Sequence, residues 1–398
     1  MSHFLATRIH QLAESETLAM ARRSRELKAK GMDIISLNLG EPDFYTPDFV
    51  KEAAKKAIDE NNSFYTPVAG TLELRQAVCA KLLRDNNLVY TPDQIVCSTG
   101  AKQAIANTIL ALINPGDEVI ILSPYWVTYV EIVKLAGGTP IILHAGVDQD
   151  YKPKAAAIEK VITERSKLIM FSTPNNPTGA VYTHSELQDI AAIVEKNTNI
   201  FVLADEIYEH INFVGKHHSI ASFSSIKERC IIINGLSKAF AMTGWRIGYL
   251  AANKEIAAAA DKIQGQFTSA TCAITQKAAT AALLAPVSSI EKMVSTFEKR
   301  KHLAFELVAK IPNVEVNQPD GAFYLFPNVS YYIGKKYNDI TIHTINELAL
   351  YLLNEFHICL VSGDAFGDDK ALRISYAADE KTITEGINRL QKGLLALH

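Results

Sequence analysis

The chain has 398 residues, of which 48% are hydrophobic and 21% charged, and its 40 Lys and Arg against 43 Asp and Glu give a formal net charge of -3. This composition is typical of a globular protein and excludes disordered, collagen-like and coiled-coil classes. The near-neutral charge balance gives no electrostatic reason to expect a nucleic-acid partner. No apolar run reaches the roughly 18 residues that a membrane span requires.

The N-terminal segment MSHFLATRIHQLAESETLAMARRS has no continuous apolar core, so we do not expect a signal peptide. Its alternation of apolar and charged residues predicts one amphipathic helix. The five cysteines are scattered, odd in number and without a C-x-x-C pair. This pattern favours buried, unpaired thiols in a reducing cytosol over disulfides or a zinc site, so we expect a cytoplasmic protein without a metal centre.

The middle of the chain alternates short β-branched runs with helical patterns. The runs predicted as strands are 94–99, 118–123, 139–144, 167–172, 199–205, 230–235 and 246–252. Because most of these runs are continuously hydrophobic, we expect strands that are covered on both faces. The predicted fold is therefore α/β, with a mostly parallel seven-stranded sheet flanked by helices.

The two ends of the chain have a different pattern, in which long helical segments alternate with a few short strands. We expect an N-terminal arm at 1–45, a large domain at 46–286 and a small α+β domain at 287–398. The arm is predicted to contribute part of the small domain.

Ligands of open parallel sheets collect beyond the carboxyl ends of the strands. The first predicted strand is followed by STGAKQA (98–104), which can seat a phosphate on free backbone N–H groups, although a plain helix cap explains the same residues. Trp126 follows the second strand and can stack on a flat ring or pack in the core. STPNNPTG (172–179) follows the fourth strand and can hold an amide toward a ligand or form a plain turn.

Two further strand ends carry ionisable residues. Asp205 ends an apolar strand, three residues before Tyr208, and is either a ligand-binding carboxylate or a helix cap. Lys238 follows the next strand among small and apolar residues, with Arg246 eight residues later. Burial lowers the pKa of a lysine and favours the neutral amine that forms a Schiff base, whereas a loop tip would leave the same lysine solvated.

Together these side chains describe one ligand. They offer an amine that can react with an aldehyde, a carboxylate that can pair with a pyridinium nitrogen, and a phosphate-binding turn with an arginine. They also offer an aromatic side chain that can stack on a ring, and an amide and a phenol that can bond a ring hydroxyl. The ligand with those groups is pyridoxal 5'-phosphate.

Five strings extend the argument to a family: NLGEPDFYTP, SPYWVTY, PNNPTGAVY, DEIYEH and SKAFAMTGWRIGY. On these strings the sequence resembles the fold-type-I, class I/II aminotransferases over nearly its whole length. Within that family it is similar to the bacterial aspartate aminotransferases of the Iγ (1β) subgroup.

The resemblance implies a role toward the cofactor for each candidate. Lys238 would form the Schiff base and move the substrate proton, and Asp205 would keep the pyridine nitrogen protonated. Asn176 and Tyr208 would bond the ring 3'-oxygen, and Trp126 would stack on the ring. The phosphate would be bound by Gly100, Ala101, Lys102, Arg246, Ser237 and, from the neighbouring subunit of a homodimer, Tyr65. Gly235 departs from the family pattern, in which many relatives have a phosphate-binding serine three residues before the lysine.

The resemblance also implies the substrate contacts. Arg373 would clamp the α-carboxylate beside the Gly40 backbone, with Trp126 and Asn176 adjoining it. Lys102 and Thr17 would bind a distal carboxylate, although a solvated helix lysine and an N-cap threonine are the plainer interpretations.

The implied activity is transamination between L-aspartate and 2-oxoglutarate. Alternatives on the same scaffold are a prephenate aminotransferase, a broad or aromatic aminotransferase, and a lyase that shares the cofactor residues.

Overall fold

The computed structural model describes residues 4–13 and 16–398. The N-terminal arm begins with two helices, α1 (Thr7–Gln11) and α2 (Glu16–Ala29), so the prediction of one amphipathic helix is wrong. The backbone is extended at Leu12, and the amide of Ala13 donates to the Glu131 carboxylate at 2.9 Å. This contact with the body of the protein accompanies the break after α1. The short strand β1 (Ile35–Ser36) follows α2.

The middle of the chain forms alternating helices and strands. In chain order they are α3 (Asp48–Asp59), α4 (Leu72–Asn86), β2 (Ile95–Ser98), α5 (Ala101–Leu112), β3 (Glu118–Ser123), α6 (Thr128–Leu135), β4 (Thr139–His144), α7 (Ala155–Val161), β5 (Ser166–Ser172), α8 (His184–Lys196), β6 (Phe201–Asp205), β7 (Cys230–Gly235), β8 (Gly248–Ala251), α9 (Lys254–Phe267) and α10 (Ala273–Leu284).

Strands β2 to β8 form one seven-stranded sheet in the order β2-β8-β7-β6-β5-β3-β4. Only β8 runs antiparallel to its neighbours. The predicted α/β fold is therefore confirmed. Six of the seven predicted runs contain or coincide with one of these strands, and the run 167–172 lies within β5, which begins one residue earlier. The central strands are buried on both faces, whereas every residue of the edge strand β4 is half-buried or exposed.

The last part of the chain forms a second group of elements. They are α11 (Glu291–Val308), β9 (Tyr324–Leu325), β10 (Lys336–Tyr337), β11 (Ile340–Thr341), α12 (Ile345–Phe356), β12 (Ile358–Cys359), β13 (Val361–Ser362), β14 (Leu372–Ser375) and α13 (Glu380–Leu395). Strand β1 pairs in parallel with β12, so that Ile35 lies opposite Ile358. The arm is thus joined to the C-terminal elements, while the domain boundaries at 46 and 286 stay a prediction.

The hydrophobic core lies on both faces of the large sheet. Along β7, Cys230 and Ile232 face one cluster, which continues into the C-terminal elements, and Ile231 and Ile233 face the other. Cys97, Cys230 and Cys359 are buried as expected, whereas Cys79 is half-buried and Cys272, directly before α10, is exposed. None of the helices in the described ranges has the length and hydropathy needed to cross a bilayer.

Candidate active site

The carboxyl ends of the parallel strands border a cavity of about 380 Å³. Strand β6 ends at Asp205, and Lys238 and Asn176 lie three and four residues beyond the ends of β7 and β5. The candidate residues that line the cavity are Thr17, Gly40, Ala101, Lys102, Trp126, Asn176, Asp205, Tyr208, Ser237, Lys238, Arg246 and Arg373. Gly100 adjoins it through Ala101, and Tyr65 is the candidate that lies elsewhere on the surface.

Lys238 is positioned as a reactive amine. Its Nζ atom donates to the carbonyl oxygen of Gly40 at 2.6 Å and lies 5.8 Å from the centre of the Tyr208 ring. Burial, with a smaller effect from the positive charge of Arg373, lowers the pKa of Lys238 to about 8. The side chain therefore lies in the site and is not a solvated loop tip, and an appreciable fraction of it is neutral near physiological pH.

Asp205 is a buried carboxylate with two hydrogen-bond donors. The hydroxyl of Tyr129 donates to it at 2.7 Å, and the amide of Ile207 donates to its other oxygen at 3.2 Å. Burial raises the pKa of Asp205 to about 6. Both hydrogen bonds and the positive charge of Lys238 act in the opposite direction, but burial outweighs them. At pH 7 the group is still mostly ionised, as a partner for a protonated ring nitrogen must be.

Asn176 and Arg373 form a hydrogen-bonded pair that lines the same cavity. Arg373 donates through Nη1 to Asn176 Oδ1 at 3.0 Å and through Nη2 to the carbonyl oxygen of Asn38 at 2.7 Å. The side-chain amide nitrogen of Asn176 is then left to donate to a ligand. Asn176 and Arg373 are both buried, at 8% and 2% exposure.

Arg373 has no carboxylate partner among the described residues, and its Nε atom has no hydrogen-bond partner there. A buried, unpaired cation is strongly unfavourable. The Arg373 guanidinium lines the cavity, and its planar fork of N–H donors matches the two oxygens of a carboxylate. A bound carboxylate would therefore pair with this cation. Arg373 is therefore suited to hold the carboxylate of a ligand.

The part of the cavity at the start of α5 is suited to an anion. Gly100 precedes this helix with a φ of 89°, and a side chain there would overlap the Arg246 guanidinium. Arg246, itself with a φ of 56°, donates to the carbonyl oxygen of Thr243 at 2.8 Å. The glycine thus lets the arginine approach the helix N-terminus, where free N–H groups and the helix dipole attract phosphate.

Lys102 and Thr17 both line the cavity. The Lys102 Nζ atom lies 4.9 Å from the centre of the Trp126 ring, and burial together with Arg246 lowers the pKa of Lys102. Thr17 lies inside α2, so it is not an N-cap, and its buried hydroxyl has no hydrogen-bond partner in the described ranges. Both groups are available to a ligand.

Tyr65 is 98% exposed. Its segment is held by two side-chain amides, because Gln276 donates to the Thr66 hydroxyl and Gln264 donates to the Val68 carbonyl, each at 2.8 Å. The predicted contact of Tyr65 with a phosphate in a neighbouring subunit stays a prediction.

Several residues of the site have no role in the sequence analysis. Tyr129 bonds Asp205, the hydroxyl of Tyr324 lies 2.7 Å from that of Tyr208, and Glu41 accepts a hydrogen bond from Thr243. Glu41 and Thr243 are distant in sequence, and so are Tyr208 and Tyr324. No local pattern identifies such pairs.

A buried charge network next to the site was also missed. Ligand atoms of Glu206, Glu209 and His217 lie within 4.8 Å of one another. The Glu209 carboxylate already accepts from Lys81, Asn86 and Asn234. The Nε2 atom of His217 lies 3.2 Å from the Glu206 carboxylate. Burial acts to lower the pKa of His217, but Glu206, with a smaller contribution from Glu209, outweighs burial and raises it. Lys81 thus compensates the charge of Glu209, and His217 is placed so that its protonated form compensates that of Glu206.

The charges that line the cavity fit pyridoxal 5'-phosphate. In the described part of the chain, the lining side chains include the cations Lys102, Lys238, Arg246 and Arg373 but only the acids Glu41 and Asp205. This excess of positive charge suits a phosphate and carboxylates. The amine of Lys238, the carboxylate of Asp205 and the anion seat at Arg246 match the aldehyde, ring nitrogen and phosphate of that cofactor.

Comparison with known proteins agrees with this geometry. The family model "Aminotransferase class I and II" matches residues 32–390. A protein of Petunia hybrida named bifunctional aspartate aminotransferase and glutamate/aspartate-prephenate aminotransferase is 43% identical, covering 99% of this chain and 83% of that protein.

Two solved structures are similar along their whole length. The aspartate aminotransferase of Rhizobium meliloti has a TM-score of 0.95 and 35% identity, covering 99% of both chains. The aspartate aminotransferase of Thermus thermophilus with maleate has a TM-score of 0.90 and 34% identity, covering 98% of this chain and 99% of that one. The chain therefore belongs to the class I and II aminotransferases, which are enzymes that depend on pyridoxal 5'-phosphate.

Proposed function

We propose that this enzyme transfers an amino group between L-aspartate and 2-oxoglutarate, giving oxaloacetate and L-glutamate. The observation that carries the proposal is the buried Arg373, which has no carboxylate partner among the described residues and lines the same cavity as a second available cation, Lys102. Two cations suit a substrate with two carboxylates. The Thr17 hydroxyl, also without a partner among the described residues, belongs to a residue that lines this cavity and supplies a hydrogen-bond donor.

The cofactor, when bound, supplies an electron sink for the carbon that carries the amino group. Asp205 holds the proton on the ring nitrogen, and the Tyr129 hydroxyl keeps the Asp205 carboxylate in place at 2.7 Å. Tyr208 and the amide of Asn176 donate to the ring oxygen. Arg246 and the start of α5 bind the phosphate.

Lys238 performs the proton transfer. Its Nζ atom takes the proton from the substrate Cα and returns a proton to the cofactor C4' atom. Because burial lowers the pKa of Lys238 to about 8, its neutral form is available as a general base. Arg373 holds the α-carboxylate so that the Cα–H bond faces this amine.

Prephenate is the second candidate acceptor. It also carries two carboxylates, so the same pair of cations suits it, and the name of the Petunia relative includes prephenate. A lyase is disfavoured because it needs no second cation in the substrate cavity. A broad or aromatic aminotransferase stays an alternative, because its acceptor 2-oxoglutarate also carries two carboxylates.

A half-reaction screen tests the proposal. The purified holoenzyme is mixed with each amino acid singly, and the decay of the cofactor absorbance is recorded. We expect aspartate and glutamate to react far faster than alanine or phenylalanine, and oxaloacetate, 2-oxoglutarate and prephenate are then compared as acceptors. Faster reaction with phenylalanine than with aspartate would contradict the proposal, and release of ammonia and pyruvate would indicate a lyase.

A homodimer with shared active sites is part of the proposal. In the single chain Arg246 is exposed, and an open depression with Trp245 and Cys272 in its wall adjoins it, so the phosphate end is uncovered. Phe64, Tyr65 and Phe267 are 81%, 98% and 68% exposed, which is unusual for large apolar side chains in one region. A second copy that covers this region would complete the phosphate seat with its Tyr65.

The five unpaired cysteines support a reducing, cytoplasmic location.

A further inference from the structure

Tyr324 is a buried neighbour of Tyr208 at the active-site cavity. We propose that Tyr324 is a positioning residue that donates a hydrogen bond to the Tyr208 hydroxyl and thereby directs the Tyr208 proton toward the ring oxygen of the bound cofactor. This inference rests on the proposed contact between Tyr208 and that ring oxygen.

The Tyr324 hydroxyl has Tyr208 as its hydrogen-bond partner among the described residues. It lies 2.7 Å from the Tyr208 hydroxyl and, among the described residues, makes no other hydrogen bond. A Cβ atom at Gly40 would lie 2.7 Å from the same oxygen, so the glycine leaves the room that this hydroxyl occupies. Its side chain is fully buried and lines the cavity.

The backbone around Tyr324 holds this geometry. The amide of Ala322 donates to the carbonyl oxygen of Ile211 at 2.8 Å, and the amide of Gly321 donates to that of Gly179 at 2.9 Å. The first bond ties the segment to the loop that carries Tyr208, and the second ties it to the loop that carries Asn176. Tyr324 also pairs with Ser375 across β9 and β14. Its position is therefore coupled to both residues proposed to donate to the ring oxygen.

A count of protons gives the direction of the bond. Each phenol carries one proton, and either hydroxyl can donate in the protein without a ligand. When Tyr208 donates to the ring oxygen, its proton is used, so the bond between the two phenols requires the Tyr324 proton. A hydroxyl that accepts such a bond is a stronger donor. Tyr324 thus strengthens the bond from Tyr208 to the negatively charged ring oxygen.

The consequence is a measurable property of the holoenzyme. In the protonated form of the lysine–cofactor linkage, the positive charge of the linkage balances the negative ring oxygen. In the deprotonated form that balance is lost, so a hydrogen bond donated to the ring oxygen stabilises this form more. The pH at which the absorbance of the bound cofactor changes is therefore lowered by Tyr208 and, through it, by Tyr324.

The test is Tyr324→Phe, which keeps the ring and removes the hydroxyl. We expect the midpoint of the absorbance titration to rise by about 0.5 pH unit, the size of one neutral hydrogen bond. The KM for aspartate should change less than about twofold, because the ring remains packed 4.7 Å from the Arg373 guanidinium. Tyr208→Phe should raise the midpoint further, and adding Tyr324→Phe to it should have no additional effect.

Tyr376→Phe is the matched control. Tyr376 is a fully buried tyrosine whose hydroxyl donates to the carbonyl oxygen of Ala322 at 3.2 Å, outside the cavity lining, and its variant should leave the midpoint unchanged. If the midpoint is unchanged in Tyr324→Phe but raised in Tyr208→Phe, the inference about Tyr324 is overturned while the proposed contact of Tyr208 stands. Additive shifts in the double variant overturn it too, because Tyr324 then acts independently of Tyr208. An unchanged midpoint in Tyr208→Phe overturns both the proposed Tyr208 contact and the inference.

Discussion

The Nζ atom of Lys238 donates to the carbonyl oxygen of Gly40, 198 residues away, at 2.6 Å. Gly40 follows the strand β1, which is paired with β12, so this hydrogen bond joins the N-terminal arm to the loop after β7. Glu41 adds a second link by accepting from Thr243 in the loop that leads to Arg246. The arm therefore completes the site, and its order is coupled to that of the reactive lysine.

Lys238→Ala should remove the long-wavelength absorbance of the bound cofactor and reduce turnover by more than about 10³-fold, because both the linkage and the proton carrier are lost. Absorbance spectra and a coupled assay measure the two effects. Lys301→Met is the control, since Lys301 is a buried lysine that lies over Phe213 and does not line the cavity. Full turnover in Lys238→Ala would exclude it as the catalytic base.

The rate at which the cofactor-free enzyme binds pyridoxal 5'-phosphate covalently should depend on the ionisation of Lys238. Since burial and Arg373 lower the pKa of Lys238 to about 8, the fraction of neutral amine and hence the rate should rise with pH through a midpoint near 8. Stopped-flow absorbance over a pH series measures this midpoint. A midpoint close to the ordinary lysine value of 10.5 would show that the lysine is not desolvated in solution.

Lys102→Ala should reduce kcat/KM for aspartate by about 10- to 100-fold, because a charged hydrogen-bond partner of the distal carboxylate is removed. The value for alanine, which lacks that carboxylate, should change little. Thr17→Ala should have the same selectivity with a smaller, several-fold effect. Half-reaction kinetics with both amino acids give the ratio, and equal losses for both would remove the distal-carboxylate role.

Tyr65→Phe should weaken cofactor retention about 10-fold if its hydroxyl bonds the phosphate of the neighbouring subunit. Spectroscopic titration with the cofactor gives the affinity, and sedimentation equilibrium gives the mass of the same samples. Tyr331→Phe, another exposed tyrosine, is the control. A wild-type monomer that binds the cofactor with normal affinity would contradict the shared-site dimer.

His217 should make stability depend on pH in one direction. Burial acts to lower the pKa of His217, but Glu206, with a smaller contribution from Glu209, outweighs this effect and raises it above 6.5. The folded protein therefore binds the proton more tightly than the unfolded chain. The stabilisation is complete below about pH 6.5 and is lost as the pH rises through the folded-state value.

His217→Gln should thus reduce the free energy of unfolding by about 3 kcal/mol at pH 6, since Glu206 is left as a buried, unpaired carboxylate, and by less at pH 9. Urea unfolding at the two pH values measures the difference. His218→Gln changes the adjacent, exposed histidine and should have little effect at either pH. An equal loss at pH 6 and pH 9 would show that His217 contributes by packing alone.

Much of the fold could be predicted from the sequence, because a buried parallel strand is a local pattern. The continuous apolar runs at 118–123 and 230–235 coincide with β3 and β7 as they stand in the structure. The N-terminal helix was predicted less well, since the contact of Ala13 with Glu131 at the break after α1 joins residues 118 positions apart. Helical periodicity contains no information about such a contact.

The candidate site divides in the same way. The sequence alone determined which chemical groups follow the strands, because Asp205, Lys238 and Asn176 belong to short strings at strand ends, and parallel strands bring their carboxyl ends to one edge. Only the tertiary structure decided what surrounds those groups: Tyr129 on Asp205, Tyr324 on Tyr208, and Gly40 on Lys238. The physical reason is that burial and hydrogen bonding, which set the pKa of each group, come from segments far apart in the chain.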